Sequence, residues 1–326
     1  MRITNKTNLP QSFLDFARSD KYSRGNADIS VTSLIDSPKV RIMKEHYDDQ
    51  MEIDAVDMVW SLFGTAVHSI LETSHENAPI DQTIITEERL FTNVNGWRLS
   101  GAIDRQEIND GLVSIFDYKV TSMWSLVFDK IEWHRQLNCY AYLVEKVKGV
   151  KVKDINIVVI ARDWNRRKAE QDPSLPQSPI QVKHIPLWSF EEREKYVQER
   201  IEQHQEAQIS FDLGNDFGLC SDEERWKKND TYAVMKSGQK RALRVLNSEK
   251  EAKEYIDWHN ETDKAYAKKS KLNIEIRSGE YTRCKGHYCS VAEFCNQYKG
   301  DGNAKKEDTK VDGNSWKREK VEKSKN

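Results

Sequence analysis

The stretch that most constrains this chain runs from Leu99 to Lys119 and is centred on the dipeptide Asp110-Gly111. A two-residue hairpin loop of type I′ needs positive φ at both central residues, which favours an Asp-Gly pair. With these two residues as the loop, Asn109 faces Leu112 and Ile108 faces Val113. Continuing outward sets Asp104 opposite Asp117. That position belongs to the non-hydrogen-bonded class of an antiparallel pair, in which Cα atoms approach to about 4.5 Å. Like charges so close destabilise an ordinary sheet, and a divalent cation between them removes the conflict. The strand period of two also puts Lys119 on the face of Asp117. Two carboxylates and a lysine on one face suit a metal-dependent hydrolytic site.

Composition sets the bounds around that site. The 326 residues, 37% hydrophobic and 32% charged, suffice for one large domain or two smaller ones. A formal net charge of −2 gives no global basic footprint, although a local basic groove is enough to hold nucleic acid. No apolar run approaches the roughly 18 residues of a membrane span. The N-terminal residues lack an apolar signal core, so the expectation is a soluble, cytoplasmic protein without a membrane partner. The five cysteines are Cys139, Cys220, Cys284, Cys289 and Cys295. Three of them cluster near the C-terminus, and in a reducing compartment such clustering suggests metal binding over disulfides.

Hydrophobic periodicity orders the rest of the chain. Residues 53–73 read as a helix with an apolar stripe through Val56, Val59, Trp60, Phe63, Val67, Ile70 and Leu71. Strands are expected at 82–91, 97–107 and 112–120, a helix at 131–147, a β-branched strand at 154–161 and another strand near 180–187. A charged helix follows over 189–208. Residues 1–29 are polar and weakly patterned. Beyond about 210, charged and aromatic residues dominate with short helical stretches such as 248–270, and residues 301–326 are too poor in apolar residues to fold.

The order α-β-β-β-α-β, with an acid pair on its second and third strands, resembles the PD-(D/E)XK nuclease superfamily. Within it, the chain is similar to the RecB-like exonucleases, including the CRISPR-adaptation exonucleases and their phage-encoded relatives. The resemblance implies an α/β fold: a restriction-endonuclease-like core over 30–208, with a central mixed sheet flanked by helices. A helical, cysteine-containing C-terminal region would span 209–300.

The family pattern Gly-x-x-Asp…Asp-x-Lys falls on Gly101, Asp104, Asp117 and Lys119. In it the two acids hold Mg²⁺ or Mn²⁺, the carbonyl of Tyr118 adds a ligand, and the lysine contacts the attacking water or the scissile phosphate. A Gly-x-x-x-His helix motif falls on Gly64 and His68, which would give the metal a nitrogen ligand. A Gln-x-x-x-Tyr motif falls on Gln136 and Tyr140, expected to orient Lys119 or the DNA backbone. Taken alone, the helical histidine reads as an ordinary packed or exposed one, and the Gln/Tyr pair as surface and core. Glu88 is an accessory acid at most, better read as structural. Several RecB-like nucleases bind a [4Fe–4S] cluster through a C-terminal cysteine trio and a distant cysteine, which points to Cys284, Cys289 and Cys295 with Cys220. This chain departs from the family in having no cysteine before Cys139, and Cys139 itself reads as core. Zinc is the alternative, with His287 or His259 replacing a thiolate.

The resemblance implies a metal-dependent DNA exonuclease with 5′-phosphate products, acting on single-stranded or duplex ends in recombination, repair or phage DNA processing. Recombination or replication proteins are its natural partners. Basic and aromatic residues such as Trp124, Lys130, Trp133, Arg162 and Trp164 supply material for a DNA path. A structure-specific endonuclease on the same fold and a non-catalytic DNA-binding recombination scaffold are the rival readings, and nothing in the sequence excludes RNA as substrate.

Overall fold

Asp110 and Gly111 form the tight loop that their sequence demands, with φ of 50° and 74° in the computed structural model. The strands on either side run in the register it imposes, Asn109 opposite Leu112 through Arg105 opposite Phe116, without a bulge. The structure describes residues 1–19, 25–73, 83–262 and 271–300. It divides into a unit spanning Met1–Gly218 and a second beginning at Leu219. The tail 301–326 and the end of the helix expected over 248–270 lie outside the described residues.

In the first unit the elements follow in the order β1 (Arg2–Thr4), α1 (Gln11–Arg18), β2 (Ile29–Ser30), α2 (Val31–Leu34), α3 (Pro38–His46) and β3 (Glu52–Asp54). They continue with α4 (Val59–Glu72), β4 (Thr83–Val94), β5 (Trp97–Asn109), β6 (Leu112–Thr121), α5 (Trp124–Val127) and α6 (Ile131–Lys148). The unit closes with β7 (Lys151–Ala161), α7 (Arg166–Gln171), β8 (Ile180–Ile185) and α8 (Phe190–Asp212). The polar residues 1–29 are not featureless, because β1 pairs in parallel with β3.

The central sheet is mixed. β4 and β6 are antiparallel to β5, β7 is parallel to β6, and β8 is antiparallel to β7. The parallel β6–β7 step needs a crossover, and α6 supplies it. Leu137, Ala141, Leu143 and Val144 of α6 are fully buried in one core with Ile103, Ile115, Ile155 and Ile157 of the sheet and Val197 and Ile201 of α8. Gly149, at φ 68°, ends α6 in the left-handed conformation that costs glycine little. A capping box between Ser189 and Glu192 starts α8.

The charged helix outlasts its expected end because Phe211, in its last turn, packs with Ile42, Ala207 and Phe217. The helix expected over 53–73 forms as α4, but no residue of it is buried, and Trp60, Phe63 and Ile70 of its apolar stripe are more than half exposed.

The second unit, expected to be helical, also contains a sheet. β9 (Thr231–Lys236) lies between β10 (Arg244–Leu246) and β11 (Leu272–Arg277), antiparallel to both, and α9 (Glu249–Thr262) accompanies them. Ala233 and Val234 of β9 are fully buried.

Candidate active site

The site opens where the sheet divides. β5 pairs with β6 only as far as Arg105 opposite Phe116. Farther along, at Leu99 and Ser100, β5 pairs in parallel with β2 instead. β6 meanwhile stays on β7 through Thr121. The backbone of Tyr118 thus leaves the β5–β6 ladder, and buried backbone groups must find other partners. Its N–H donates to Asp104 Oδ2 at 2.8 Å, and its carbonyl accepts from His68 Nε2 at 3.1 Å. The two acids keep the register of the hairpin but sit one step beyond its last backbone pair.

Around this opening His68 Nδ1 lies 3.3 Å from Glu87 Oε1 and 3.6 Å from Asp104 Oδ1. Lys119 Nζ lies 2.6 Å from Asp117 Oδ2. Behind Asp117, Gln136 Nε2 is 3.5 Å from Oδ1 and donates to the Tyr140 hydroxyl at 2.8 Å. Gly101 admits that support. A Cβ there would stand 2.6 Å from Leu143 Cδ1 and 3.0 Å from the Tyr140 ring, so the glycine lets α6 approach β5.

The charges respond to this crowding. Burial, then the neighbouring Asp117, pushes the Asp104 carboxyl from 3.8 up to about 7. His68 is raised from 6.5 to about 9, first by its hydrogen bond to Glu87; burial opposes this, and Asp104 adds to the rise. Burial also opposes the Lys119 charge, but attraction to Asp117 and Asp104 outweighs it and its pKa rises. In this state the histidinium and the Lys119 ammonium are the cations among these acids.

These donors fit a divalent ion. His68, Glu87 and Asp104 are the group of three donors, among the described residues, whose ligand atoms lie within 4.8 Å of one another. Asp117 lies close enough to Asp104 to raise its pKa, while the Tyr118 carbonyl meets the other ring nitrogen of His68, Nε2, rather than the Nδ1 that faces the acids. Carboxylates and one imidazole form a hard, oxygen-rich set suited to Mg²⁺ or Mn²⁺. Asp104 and Asp117 are only 8% and 1% exposed, and two acids that deep are costly without a counter-charge.

The structure thus brings His68, Asp104, Asp117, Tyr118, Lys119 and Gln136 together. Tyr140 stands behind Gln136 and is buried, so the Gln136/Tyr140 pair reaches Asp117 rather than Lys119 or an open DNA surface. Glu88 bonds Gln106 and pairs with Lys148, away from the opening.

Glu87 is the residue that sequence reasoning missed. The pairs Thr86–Arg105 and Glu88–Ile103 bracket it directly opposite Asp104. The signal was present in Asn95-Gly96, a second two-residue loop at φ 49° and 81°, from which counting outward reaches Glu87 and Asp104.

The cysteines separate by environment. Cys139 is buried in the main core, and burial lifts its thiol to about 12. In the second unit Cys284 and Cys295 are buried, and the Cys289 thiol is raised by burial and by both of these neighbours. Cys220 is tied to the same segment, exchanging 2.9 Å hydrogen bonds through its N–H and C=O with the Gln297 side chain. A single tetrahedral zinc ion, with Zn–S near 2.3 Å, holds its thiolates about 3.8 Å apart. No three of these sulfurs lie within 4.8 Å of one another. His259 is in α9, and His287 occupies a left-handed position at φ 60°.

The chain is similar to several solved structures. The crystal structure of SSO0001 shares 17% identity over 59% of this chain and 82% of its own, with a TM-score of 0.40. A protein from Eubacterium rectale, described as an exonuclease, shares 13% identity over 62% of this chain and 73% of its own, with a TM-score of 0.29. No curated protein matches the chain. No helix among the described residues is long and apolar enough to cross a membrane. The model of the PD-(D/E)XK nuclease superfamily matches residues 61–296, well over half of the sequence and the whole of the site from His68 to Tyr140, and the chain belongs to that superfamily.

Proposed function

We propose that the protein is a metal-dependent DNA exonuclease of the RecB-like type. The observation that carries this reading is the meeting of Asp104, Asp117, Lys119 and His68 where β5 parts from β6. His68, Asp104, Asp117 and the Tyr118 carbonyl, with Glu87 beside them, would hold Mg²⁺ or Mn²⁺. Bound there, the ion supplies Lewis-acid polarisation of the phosphate and a water acidic enough to attack it near neutral pH.

The chain's own residues supply the rest. Asp117 fixes the Lys119 ammonium at 2.6 Å, where it can orient water or neutralise a phosphate oxygen. Gln136, braced by Tyr140, limits the rotation of Asp117. Hydrolysis would leave a 5′-phosphate and needs no covalent enzyme intermediate. The biological setting is DNA recombination, repair or phage genome processing, with recombination or replication proteins as partners.

In the second unit, Cys220, Cys284, Cys289 and Cys295 would hold a [4Fe–4S] cluster. Support comes from Cys289 lying near both Cys284 and Cys295 and from the Gln297 tether on Cys220. Zinc is the alternative occupant, with His287 or His259 replacing a thiolate.

The test is cleavage of end-labelled DNA with Mg²⁺ or Mn²⁺. Asp117→Ala and Lys119→Ala should each abolish it, and wild-type cleavage by both would refute the site. Circular single-stranded DNA should stay intact. Its degradation would make the enzyme an endonuclease, and the absence of cleavage on single-stranded, duplex and flap substrates would favour a DNA-binding scaffold.

A further inference from the structure

We propose that Trp60 and Phe63 of α4, backed by Arg162, form a stacking platform for an unpaired DNA strand running to the active site, an assignment that rests on the nuclease reading above. The helix is rich in apolar residues yet buries none of them. Trp60 and Phe63 are 52% and 51% exposed, and their rings lie 5.6 Å apart, inclined by 39°. One turn of helix separates the two, and His68 follows Trp60 by eight residues, about 12 Å along the axis. The platform and a donor of the catalytic opening are therefore built on one rigid element.

What such a surface fits follows from its charge. The Arg162 guanidinium lies 4.1 Å from the Trp60 ring centroid. A cation over an indole face is itself stabilising, and it adds a phosphate-binding group beside an aromatic one. Arg162 is anchored to the site strand, its N–H donating to the carbonyl of Thr121 at 2.9 Å, two residues past Lys119. The adjacent acid, Asp163, is turned away to Ser122 Oγ and the Met123 N–H.

A second exposed pair, Trp124 and Phe128, starts three residues past Thr121 with ring centroids 6.4 Å apart. The turn that carries it is pinned by the contact between Thr121 Oγ1 and Ser125 Oγ at 2.9 Å. Exposed flat rings interleaved with a guanidinium, at the end of the strand that carries Asp117 and Lys119, match a polyanion with accessible base faces. Duplex DNA hides those faces, so an unpaired strand is the occupant.

The experiment measures binding of the full-length protein, in EDTA so that no cleavage occurs, by fluorescence anisotropy. The probes are a fluorescein-labelled oligothymidylate, an abasic strand of the same length and a blunt duplex. Trp60→Ala and Phe63→Ala should each weaken oligothymidylate binding roughly tenfold, the scale of one base–aromatic stack. Abasic binding should be unchanged, and Trp60→Phe should recover most of the loss. The proposal is overturned if the alanine variants bind oligothymidylate like wild type, or if they lose abasic binding equally. A preference of the wild type for the duplex also overturns it and leaves the face to a protein partner. Cleavage of labelled DNA with Mn²⁺ tests the nuclease reading separately. Ring-dependent binding without cleavage keeps the platform and removes the nuclease, and cleavage with ring-independent binding does the reverse.

Discussion

Glu87 stands directly across the β4–β5 ladder from Asp104, at a φ of 48°, with its carboxylate 3.3 Å from His68 Nδ1. A non-glycine residue in the left-handed region is strained, and such strain persists where the surroundings impose it. Here the reward is a third donor beside His68 and Asp104. Its hydrogen bond is also the main reason that His68 is raised to about 9. Glu87→Gln should therefore lower the His68 pKa towards 6.5 in the metal-free protein, read by NMR titration of the imidazole. The same variant should weaken Mn²⁺ binding about tenfold by calorimetry, as loss of a charged group beside a metal does. A His68 pKa unmoved by the substitution would mean that burial and Asp104 set it.

The same groups make the metal-free protein sensitive to pH, and the sign is the reverse of the usual carboxylate case. Asp104 titrates near 7 when folded and near 3.8 when unfolded. Between those values the folded state holds a proton that the unfolded state has lost, so stability falls as pH rises. His68, raised to about 9, stabilises the fold fully below 6.5, and that contribution is lost as pH rises through 9. Both act in one direction. Without metal, the melting temperature should fall from about pH 4 to pH 9, and Asp104→Asn should flatten the acid half of that decline. Saturating Mg²⁺ should restore the loss, because an ion that displaces these protons favours the folded state.

Most of this candidate site was legible in the sequence. Asp110-Gly111 fixed the register by turn chemistry alone, and the register brought Asp104 and Asp117 together. The break in the ladder beyond Arg105 was not legible, because it depends on β2 taking β5 at Leu99 and Ser100. A strand only two residues long leaves no pattern to read. Glu87 was within reach through Asn95-Gly96, and it went unread because Glu87-Glu88 offers two adjacent acids on opposite faces. The exposure of α4 was not legible for a different reason: periodicity reports an apolar face but not what covers it. In the second unit, Thr231–Lys236 is a buried strand hidden among charged neighbours, too short to outweigh the composition around it.

Gly101→Ala tests how α6 holds the site. The glycine has an ordinary backbone, so the cost comes from contact alone. The new methyl would meet Leu143 Cδ1 at 2.6 Å and the Tyr140 ring at 3.0 Å. Overpacking of a core typically costs about 1–3 kcal/mol, measurable by urea denaturation. Tyr140 braces Gln136 against Asp117, so the displacement should lower kcat several-fold with little change in KM. A variant as stable as wild type but catalytically impaired would show that helix displacement, not instability, carries the effect.

The cysteines give the last prediction, because two of them stand in contrasting settings within one chain. Cys139 is packed in the core of the first unit with its thiol pushed up to about 12. A thiol so reluctant to ionise is a poor ligand, since metals bind the thiolate. Cys220 is half-buried, and its backbone is clasped by Gln297, two residues past Cys295. Protein purified anaerobically should contain iron and acid-labile sulfide and absorb broadly in the visible range. Cys220→Ser should lose both, and Cys139→Ser should retain them. Cys139→Ser should instead lower the melting temperature, because it buries a hydroxyl in an apolar core. Gln297→Ala keeps every thiol and removes only the tether. It should bind the cluster at first but release it faster on exposure to air, followed as decay of the visible absorbance. A colourless protein carrying stoichiometric zinc would overturn the cluster assignment while leaving the nuclease site untouched, because Asp104, Asp117 and Lys119 belong to the other unit.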